Sequence, residues 1–197
     1  MQVCTCMKAT NQRILDAATR IFARDGVSGA TTREIARVAK VNEVTLFRHF
    51  TNKEELLRQV VLQYSKNFEN VFADASFETQ AELNRTVQTF VLSYSKMLLK
   101  KEEFIRTFFA EMKRHQTLCR KLFVESSQSV RAKFIIYLQT AQKNRLIRSD
   151  LDVTTAADAL SGMLLIGVMR RPLTKSVYTY ERYVKTCLEL FLKGIEP

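Results

Sequence analysis

The stretch TTREIARVAKVNEVTLFRHFTNK, residues 31–53, decides the fold predicted for this chain. Thr31 and Glu34 have the spacing of a capping box, in which a hydroxyl and a carboxylate each pair with a free amide at a helix start. Asn42 is a good N-cap for a second short helix, which carries apolar residues four apart on one face. Two short helices joined by a tight turn predict a helix-turn-helix, whose second helix lies in the major groove of DNA.

The sequence on either side of this stretch predicts further helices. The first should run over residues 9–24, with Gly26 as its stop. Asn52 and Glu55 have a second capping pattern, which opens a longer fourth helix that ends within residues 73–79. Residues 30–161 contain neither glycine nor proline, which favours a nearly all-helical protein.

The rest of the chain predicts five more helices. Residues 80–100, 102–116 and 117–144 are amphipathic, and residues 154–170 begin at Asp152 or Thr154 as the cap. The last helix should cover residues 177–193 and stop at Gly194. We therefore expect an all-α protein of about nine helices. A three-helix DNA-binding domain with its helix-turn-helix (residues 8–68, motif about 31–50) precedes a larger helical body (residues 69–197).

Bulk composition favours an acidic partner without locating it. The formal net charge is +11, which suits nucleic acid. Residues 1–72 hold 11 Lys or Arg against 7 Asp or Glu, and residues 73–197 hold 20 against 13, so both parts are basic to a similar degree. No uninterrupted apolar run approaches the length of a membrane span, and no signal-peptide core follows the amino terminus. We expect a cytoplasmic protein with no membrane partner.

Residues that could carry metal or catalytic chemistry are sparse. Cys4 and Cys6 form a lone C-x-C pair. The four cysteines of the chain do not have the spacing of a set of metal ligands. Glu111 and His115 are four apart, unlike the Glu-x-x-His of di-iron bundles. No cluster of acid, base and nucleophile is evident. We expect no metal, no cofactor and no catalytic residue.

Residues 13–57, RILDAATRIFARDGVSGATTREIARVAKVNEVTLFRHFTNKEELL, closely resemble the TetR/AcrR family of bacterial transcriptional regulators. They contain the family pattern I-L-x-A-A, F, G, T-T, I-A, A, V, T-L-F, H-F and N-K-E-x-L in order and without gaps. The resemblance covers about a quarter of the chain. It implies a homodimer that binds a double-stranded DNA operator through two such domains and an unknown small apolar effector through its body.

The resemblance also implies which residues meet DNA. Thr32 and Arg33 at the start of the second helix would contact phosphates. Lys53 at the start of the fourth helix would do the same. The recognition helix presents Glu43, Val44, Thr45, Phe47, Arg48 and His49 on or near the groove side. Arg48 suits a guanine edge or a phosphate, and Thr45 a phosphate or a thymine methyl group. Leu46 and Phe50 belong to the core.

Three residues depart from the family pattern. Lys40 stands where the turn usually has glycine, and a left-handed conformation there would cost about 1–2 kcal/mol. Val44 replaces a small residue. Glu43 would be repelled by phosphates, yet its carboxylate could accept a hydrogen bond from cytosine N4. These departures affect the sequence that is read, and they keep open the alternative of a helical ligand-binding or interaction module that no longer reads DNA.

Two further sets of residues are expected in the body. Met and aromatic side chains suit an adaptable apolar pocket or an ordinary bundle core. The candidates for the pocket are Phe90, Tyr94, Met97, Phe104, Phe108, Met112, Phe134, Tyr137 and Met163. The last two helices could instead pair with a second copy in an intermolecular four-helix bundle. The candidates for that dimer surface are Leu160, Leu164, Gly167, Tyr183, Val184, Cys187, Leu188 and Phe191.

Overall fold

The computed structural model describes residues 2–66, 71–72, 78–113, 115–171 and 178–197. Within these ranges the regular structure is entirely α-helical, which confirms the predicted class. The nine helices of the described ranges are α1 (Gln2–Gly29), α2 (Thr32–Ala39), α3 (Glu43–His49), α4 (Lys53–Lys66), α5 (Gln80–Lys100), α6 (Glu102–Glu111), α7 (Gln116–Lys143), α8 (Val153–Arg170) and α9 (Tyr180–Ile195).

Helix α1 is interrupted at Gly26, where the backbone has φ 74° and ψ 177°. Glycine adopts this conformation without the steric penalty that a Cβ atom brings. A Cβ atom there would also lie 3.1 Å from Oε1 of Glu111. The predicted break at Gly26 is therefore confirmed, whereas the predicted start at residue 9 is too late because the helix begins at Gln2.

Side-chain caps fix several helix starts. Asn52 Oδ1 accepts a hydrogen bond from the Glu55 amide at 2.8 Å, as expected at the start of α4. At α8 the cap is Asp152 rather than Thr154, because its carboxylate accepts from the amides of Thr154 and Thr155. The Thr155 hydroxyl also donates to Asp152 Oδ2 at 2.8 Å, and this bond, with those of the two amides, holds the pKa of Asp152 below its ordinary value.

Two predicted helix ends have different outcomes. The stop at Gly194 is wrong, since α9 continues to Ile195. Ile195 is buried, and its carbonyl accepts from the Arg148 amide at 3.0 Å, so packing holds the last turn despite the glycine. The expected end of the fourth helix, within residues 73–79, lies mostly outside the described residues, where α4 is followed to Lys66.

The chain divides into two compact units that alternate along the sequence. The first unit is Met1–Tyr64 with Glu103–Ser126, and the second is Ser65–Glu102 with Ser127–Pro197. The predicted domain boundary divides the chain once, at residue 68. In the structure, α6 and the start of α7 belong to the same unit as the amino-terminal helices.

The core of the first unit joins the helix-turn-helix to later helices. Buried apolar side chains of α1 to α4 pack with Phe104 and Phe108 of α6 and with Cys119 and Leu122 of α7. Burial of each large apolar side chain stabilises the fold by about 1.5–3 kcal/mol. This core therefore supplies the support that helices as short as α2 and α3 need.

Polar contacts reinforce the same association. The Thr107 hydroxyl donates to the Ala23 carbonyl at 2.8 Å, which ties α6 to the end of α1. The Arg58 guanidinium pairs with the Glu125 carboxylate, which ties α4 to α7 and holds the pKa of Glu125 below its ordinary value.

The second unit is built around α5, α8, α9 and the remainder of α7. Its buried faces come from residues at helical spacing, such as Leu160, Leu164 and Val168 on α8. Helix α8 packs closely on α9 at Gly167, where a Cβ atom would lie 2.3 Å from the Tyr183 ring. The glycine therefore lets the two helix backbones approach each other.

Helix α8 is apolar on more than its buried face. Its only charged side chains are Asp158 and Arg170, and by length and composition alone it could cross a membrane. This segment was not expected from the sequence, in which no apolar run approaches the length of a membrane span. A core helix satisfies the same criterion, and α8 packs on α5 and α9 within the second unit.

Candidate DNA-binding surface

The start of α2 is fixed by half of the predicted capping box. Thr31 Oγ1 accepts from the Glu34 amide at 3.2 Å. The Glu34 carboxylate does not complete the box, because it pairs with the Arg37 guanidinium through two contacts of 2.8 Å. That pairing holds the pKa of Glu34 below its ordinary value. Thr32 and Arg33 are thereby placed on the first turn of α2, and Arg33 is exposed.

The turn between α2 and α3 is left-handed at Lys40, with φ 55° and ψ 47°. The Lys40 amide donates to the Arg37 carbonyl, and the Val41 amide donates to the Ala36 carbonyl at 3.0 Å. This pair of bonds is the Schellman arrangement, which usually has glycine at the left-handed position. The conformation inferred for Lys40 from the family pattern is therefore present.

We expect Lys40→Gly to raise the free energy of unfolding by about 1 kcal/mol, because it removes left-handed strain. Urea unfolding measures the change. Arg145 is a matched control, since it has φ 61° and the same pair of hydrogen bonds after α7. Arg145→Gly should stabilise by a similar amount without altering DNA affinity. Equal or lower stability in both variants would contradict the assignment of strain.

Helix α3 separates core residues from exposed ones as predicted. Asn42 Oδ1 accepts from the Val44 amide at 2.9 Å and begins the helix. Leu46 and Phe50 are buried in the core of the first unit, which confirms their predicted place. Val44 and Phe47 are 68% and 47% exposed. An apolar side chain left in solvent on so short a helix is available for contact with a base or a sugar.

The other residues predicted to meet DNA lie on α3 and at the start of α4. Arg48 is exposed, and Thr45 and His49 are half-buried beside it. Lys53, the first residue of α4, donates from Nζ to the Ala30 carbonyl at 3.1 Å. An ammonium group has three donors, so this bond leaves two for a phosphate. Lys53 thus also links α4 to the loop before α2.

Glu43 makes a contact that the sequence did not indicate. The Thr32 hydroxyl donates to Glu43 Oε1 at 2.5 Å, in the range of a charge-assisted hydrogen bond. The contact joins the first residue of α2 to the first residue of α3. Two of the predicted DNA-contacting residues therefore bind each other in this structure.

The residues predicted for an effector pocket fall in both compact units. Phe104 and Phe108 are buried in the core of the first unit, with Met112 packed against it. In the second unit, Phe90 stacks on Phe134 with ring centroids 4.5 Å apart. Met97 and Met163 are half-buried.

An aromatic cluster in the second unit includes one residue that the sequence analysis missed. Phe72 lies 5.3 Å from the rings of both Phe90 and Tyr137 and 5.7 Å from that of Phe134. Tyr94 stacks on Phe90, and burial raises the pKa of Tyr94 to about 12. Phe72 falls near the end of the predicted fourth helix and was not among the residues predicted for the pocket.

The residues predicted for the dimer surface lie inside the chain instead. Most of this set is buried within the second unit: Leu160, Leu164, Gly167, Val184, Cys187, Leu188 and Phe191. Phe191 packs 6.1 Å from Phe134, and the half-buried Tyr183 donates its hydroxyl to the Met163 carbonyl at 2.8 Å. These side chains therefore have little surface to offer a second chain.

Candidate metal ligands do not assemble in the part of the chain that is described. No group of three or more His, Cys, Asp or Glu side chains there could hold a metal ion. His115 Nε2 instead lies 2.8 Å from the Ser28 hydroxyl and 3.6 Å from a Glu111 oxygen. The side chains of Cys4 and Cys6 are outside the described residues.

Comparison with known proteins gives a consistent answer for the amino-terminal helices. Residues 14–60 match the family model described as bacterial regulatory proteins, tetR family. The chain is 28% identical over 191 residues to the uncharacterized HTH-type transcriptional regulator YvkB of Bacillus subtilis (strain 168). The aligned region spans 96% of this chain and 98% of that protein. It is 46% identical over 52 residues to the HTH-type transcriptional regulator SrpR of Pseudomonas putida, 26% of this chain and 24% of that protein.

Solved structures extend the likeness to the whole chain. A candidate TetR-family transcriptional regulator from Mesorhizobium loti MAFF303099 is 25% identical with a TM-score of 0.73, over 97% of this chain and 98% of that chain. The transcriptional regulator FadR of Bacillus subtilis, in complex with stearoyl-CoA, has a TM-score of 0.72 at 19% identity, over 94% and 99% of the two chains. Residues 14–60 therefore form a helix-turn-helix DNA-binding domain of the type found in the tetR family of bacterial regulatory proteins, and the chain as a whole is similar in fold to TetR-family transcriptional regulators.

Proposed function

We propose that this protein is a dimeric repressor that an apolar small molecule releases from a near-palindromic operator. The observation that carries the proposal is α3, whose exposed Val44, Phe47 and Arg48 lie opposite the buried Leu46. In a dimer, two such helices would enter successive major grooves, which requires two inverted half-sites. The compartment that fits this role is the cytoplasm.

Selection of bound DNA from a random duplex library tests this function. We expect enrichment of two inverted half-sites with centres about one helical turn or a multiple of it apart. Bound sequences without that symmetry would contradict the dimeric mode of reading. The alternative function, a helical module that no longer reads DNA, predicts no enrichment and no salt-dependent binding to duplex DNA.

Lys53 gives a more specific prediction. We expect Lys53→Ala to weaken binding to operator and non-operator DNA alike and to make the salt slope shallower by about one unit, because one phosphate contact is lost. Fluorescence anisotropy over a series of salt concentrations measures both quantities. Lys193→Ala, on the exposed face of α9, makes the same change of charge and should leave the slope unaltered. A change in the preferred sequence would contradict the phosphate assignment.

The dimer surface that we propose is the outward face of α8 with the neighbouring part of α9. Ala159 is exposed, and Ile166 and Leu190 are 50% and 61% exposed. An apolar stripe of small and large side chains suits helix pairing about a two-fold axis. Light scattering after size-exclusion chromatography should give twice the mass of the 22.8 kDa chain; a monomer over the micromolar range would contradict this proposal.

The effector that we propose is an apolar molecule bound near the aromatic cluster of Phe72, Phe90, Tyr94, Phe134 and Tyr137. Stacked rings around the buried Tyr137 and the half-buried Tyr94 suit an acyl chain, and the stearoyl-CoA bound to FadR of Bacillus subtilis supports that class. An effector shifts a conformational equilibrium only by its difference in affinity for the two states. Long-chain acyl-CoA should therefore lower operator affinity, and no change at saturating ligand would contradict this class of effector.

A further inference from the structure

The hydrogen bond between Thr32 and Glu43 occupies a donor that DNA binding needs. A threonine hydroxyl has one proton, and at 2.5 Å the hydroxyl of Thr32 gives that proton to Glu43 Oε1. It cannot donate to a DNA phosphate at the same time. Donation from the Thr32 hydroxyl to a DNA phosphate therefore requires its hydrogen bond with Glu43 to break first.

Among the residues that the structure describes, no ion pair competes with Thr32 for the Glu43 carboxylate. None of the ion pairs between described residues includes Glu43. Thr32 begins the eight-residue helix α2, where free amides and the helix dipole favour a negative charge. A phosphate that approached Thr32 would meet this carboxylate and be repelled by it.

We propose that Glu43 is a specificity-determining residue. Its carboxylate keeps the Thr32 hydroxyl from donating to a phosphate until the DNA sequence supplies another donor for the carboxylate. The inference rests on the DNA-reading function proposed above. The donor that fits is the N4 amino group of cytosine, which a carboxylate can accept from in the major groove. On other sequences the carboxylate faces phosphates with no compensating bond, so non-operator DNA is disfavoured.

Charge removal at Glu43 tests the inference. Glu43→Gln keeps the shape of the side chain and removes its charge, and Glu43→Ala removes both. We expect roughly tenfold tighter binding of both variants to non-operator duplex, because the repulsion is gone. Selection from a random library should show a weaker cytosine preference at one position of each half-site in both variants. Fluorescence anisotropy at several salt concentrations supplies the affinities.

Two controls separate this effect from a general gain of positive charge. Glu54→Gln makes the same change of charge at an exposed position on the first turn of α4, and it should alter non-operator affinity much less. Thr32→Val removes the hydroxyl, so Glu43→Gln should strengthen binding less in that background than in the wild type. Thermal melts of all variants check that α2 and α3 remain folded.

The results that would overturn the inference are distinct from those that would overturn the proposed function. Equal effects of Glu43→Gln and Glu54→Gln, or an undiminished effect in the Thr32→Val background, would refute the role of the Thr32–Glu43 bond. The wild type would still read an operator in that case. A wild-type protein that binds no duplex in a salt-dependent manner would refute the proposed function itself, and the inference with it.

Discussion

Leu46→Ala should lower the free energy of unfolding by about 2–5 kcal/mol, the range for Leu→Ala substitutions in protein cores. Leu46 is completely buried in the core of the first unit. Helix α3 has only seven residues and cannot persist without that anchorage. We therefore expect operator affinity to fall together with stability, since the recognition helix loses its fixed position. Urea unfolding and anisotropy on the same preparations would measure both changes.

Val44→Ala is the matched control on the same helix. Val44 is 68% exposed, so its truncation should alter stability by no more than about 0.5 kcal/mol. Its effect should appear in the preferred DNA sequence. If Leu46→Ala were as stable as Val44→Ala, α3 would not be held by the core of the first unit.

Gly167→Ala should destabilise the protein by about 1–3 kcal/mol, the usual cost of overpacking a core. The new Cβ atom would lie 2.3 Å from Cε1 of Tyr183. The ring has little freedom to move, because its hydroxyl donates to the Met163 carbonyl and its face stacks near Tyr178 and Tyr180. Thermal and urea unfolding would measure the loss, which opposes the gain that alanine ordinarily brings within a helix.

Gly162→Ala, on the same helix, should change the free energy of unfolding in the opposite direction. No heavy atom outside the local backbone lies within 4 Å of a Cβ atom at Gly162. We expect this variant to be stabilised by up to about 1 kcal/mol, because alanine has the higher helix propensity. Replacing Tyr183 by Ala in the Gly167→Ala background should recover part of the cost that the new methyl group adds. Equal stabilisation by both glycine substitutions would show that α8 and α9 do not approach closely at Gly167.

The sequence predicts those features of the domain that depend on neighbours along the chain. Caps at Asn42, Asn52 and Asp152 and the break at Gly26 follow from side-chain chemistry within a few residues. The burial of Leu46 follows from its spacing on α3. Such local signals locate these helix starts and the exposed face of α3 that would read DNA, although the start of α1 and the end of α9 were predicted wrongly.

Features that depend on distant residues were not predictable in this way. Periodicity shows that a helix buries one face but does not show what covers that face. Phe108 was therefore assigned to an effector pocket, although it packs in the core of the first unit. Leu188 was assigned to a dimer surface, although it is buried within its own chain. The bonds from Lys53 to Ala30 and from Thr32 to Glu43 cross a turn or loop, and residue spacing gives no sign of them.

The alternation of the two compact units has a consequence for synthesis of the protein. Helices α1 to α4 leave the ribosome before Phe104, Phe108, Cys119 and Leu122, which complete their core. At about 5–20 residues per second, the helix-turn-helix waits on the order of several seconds for these partners. During that interval its apolar faces are uncovered. We therefore expect nascent chains that end near residue 64 to need a chaperone, and chains that extend beyond Ser126 to become resistant to protease.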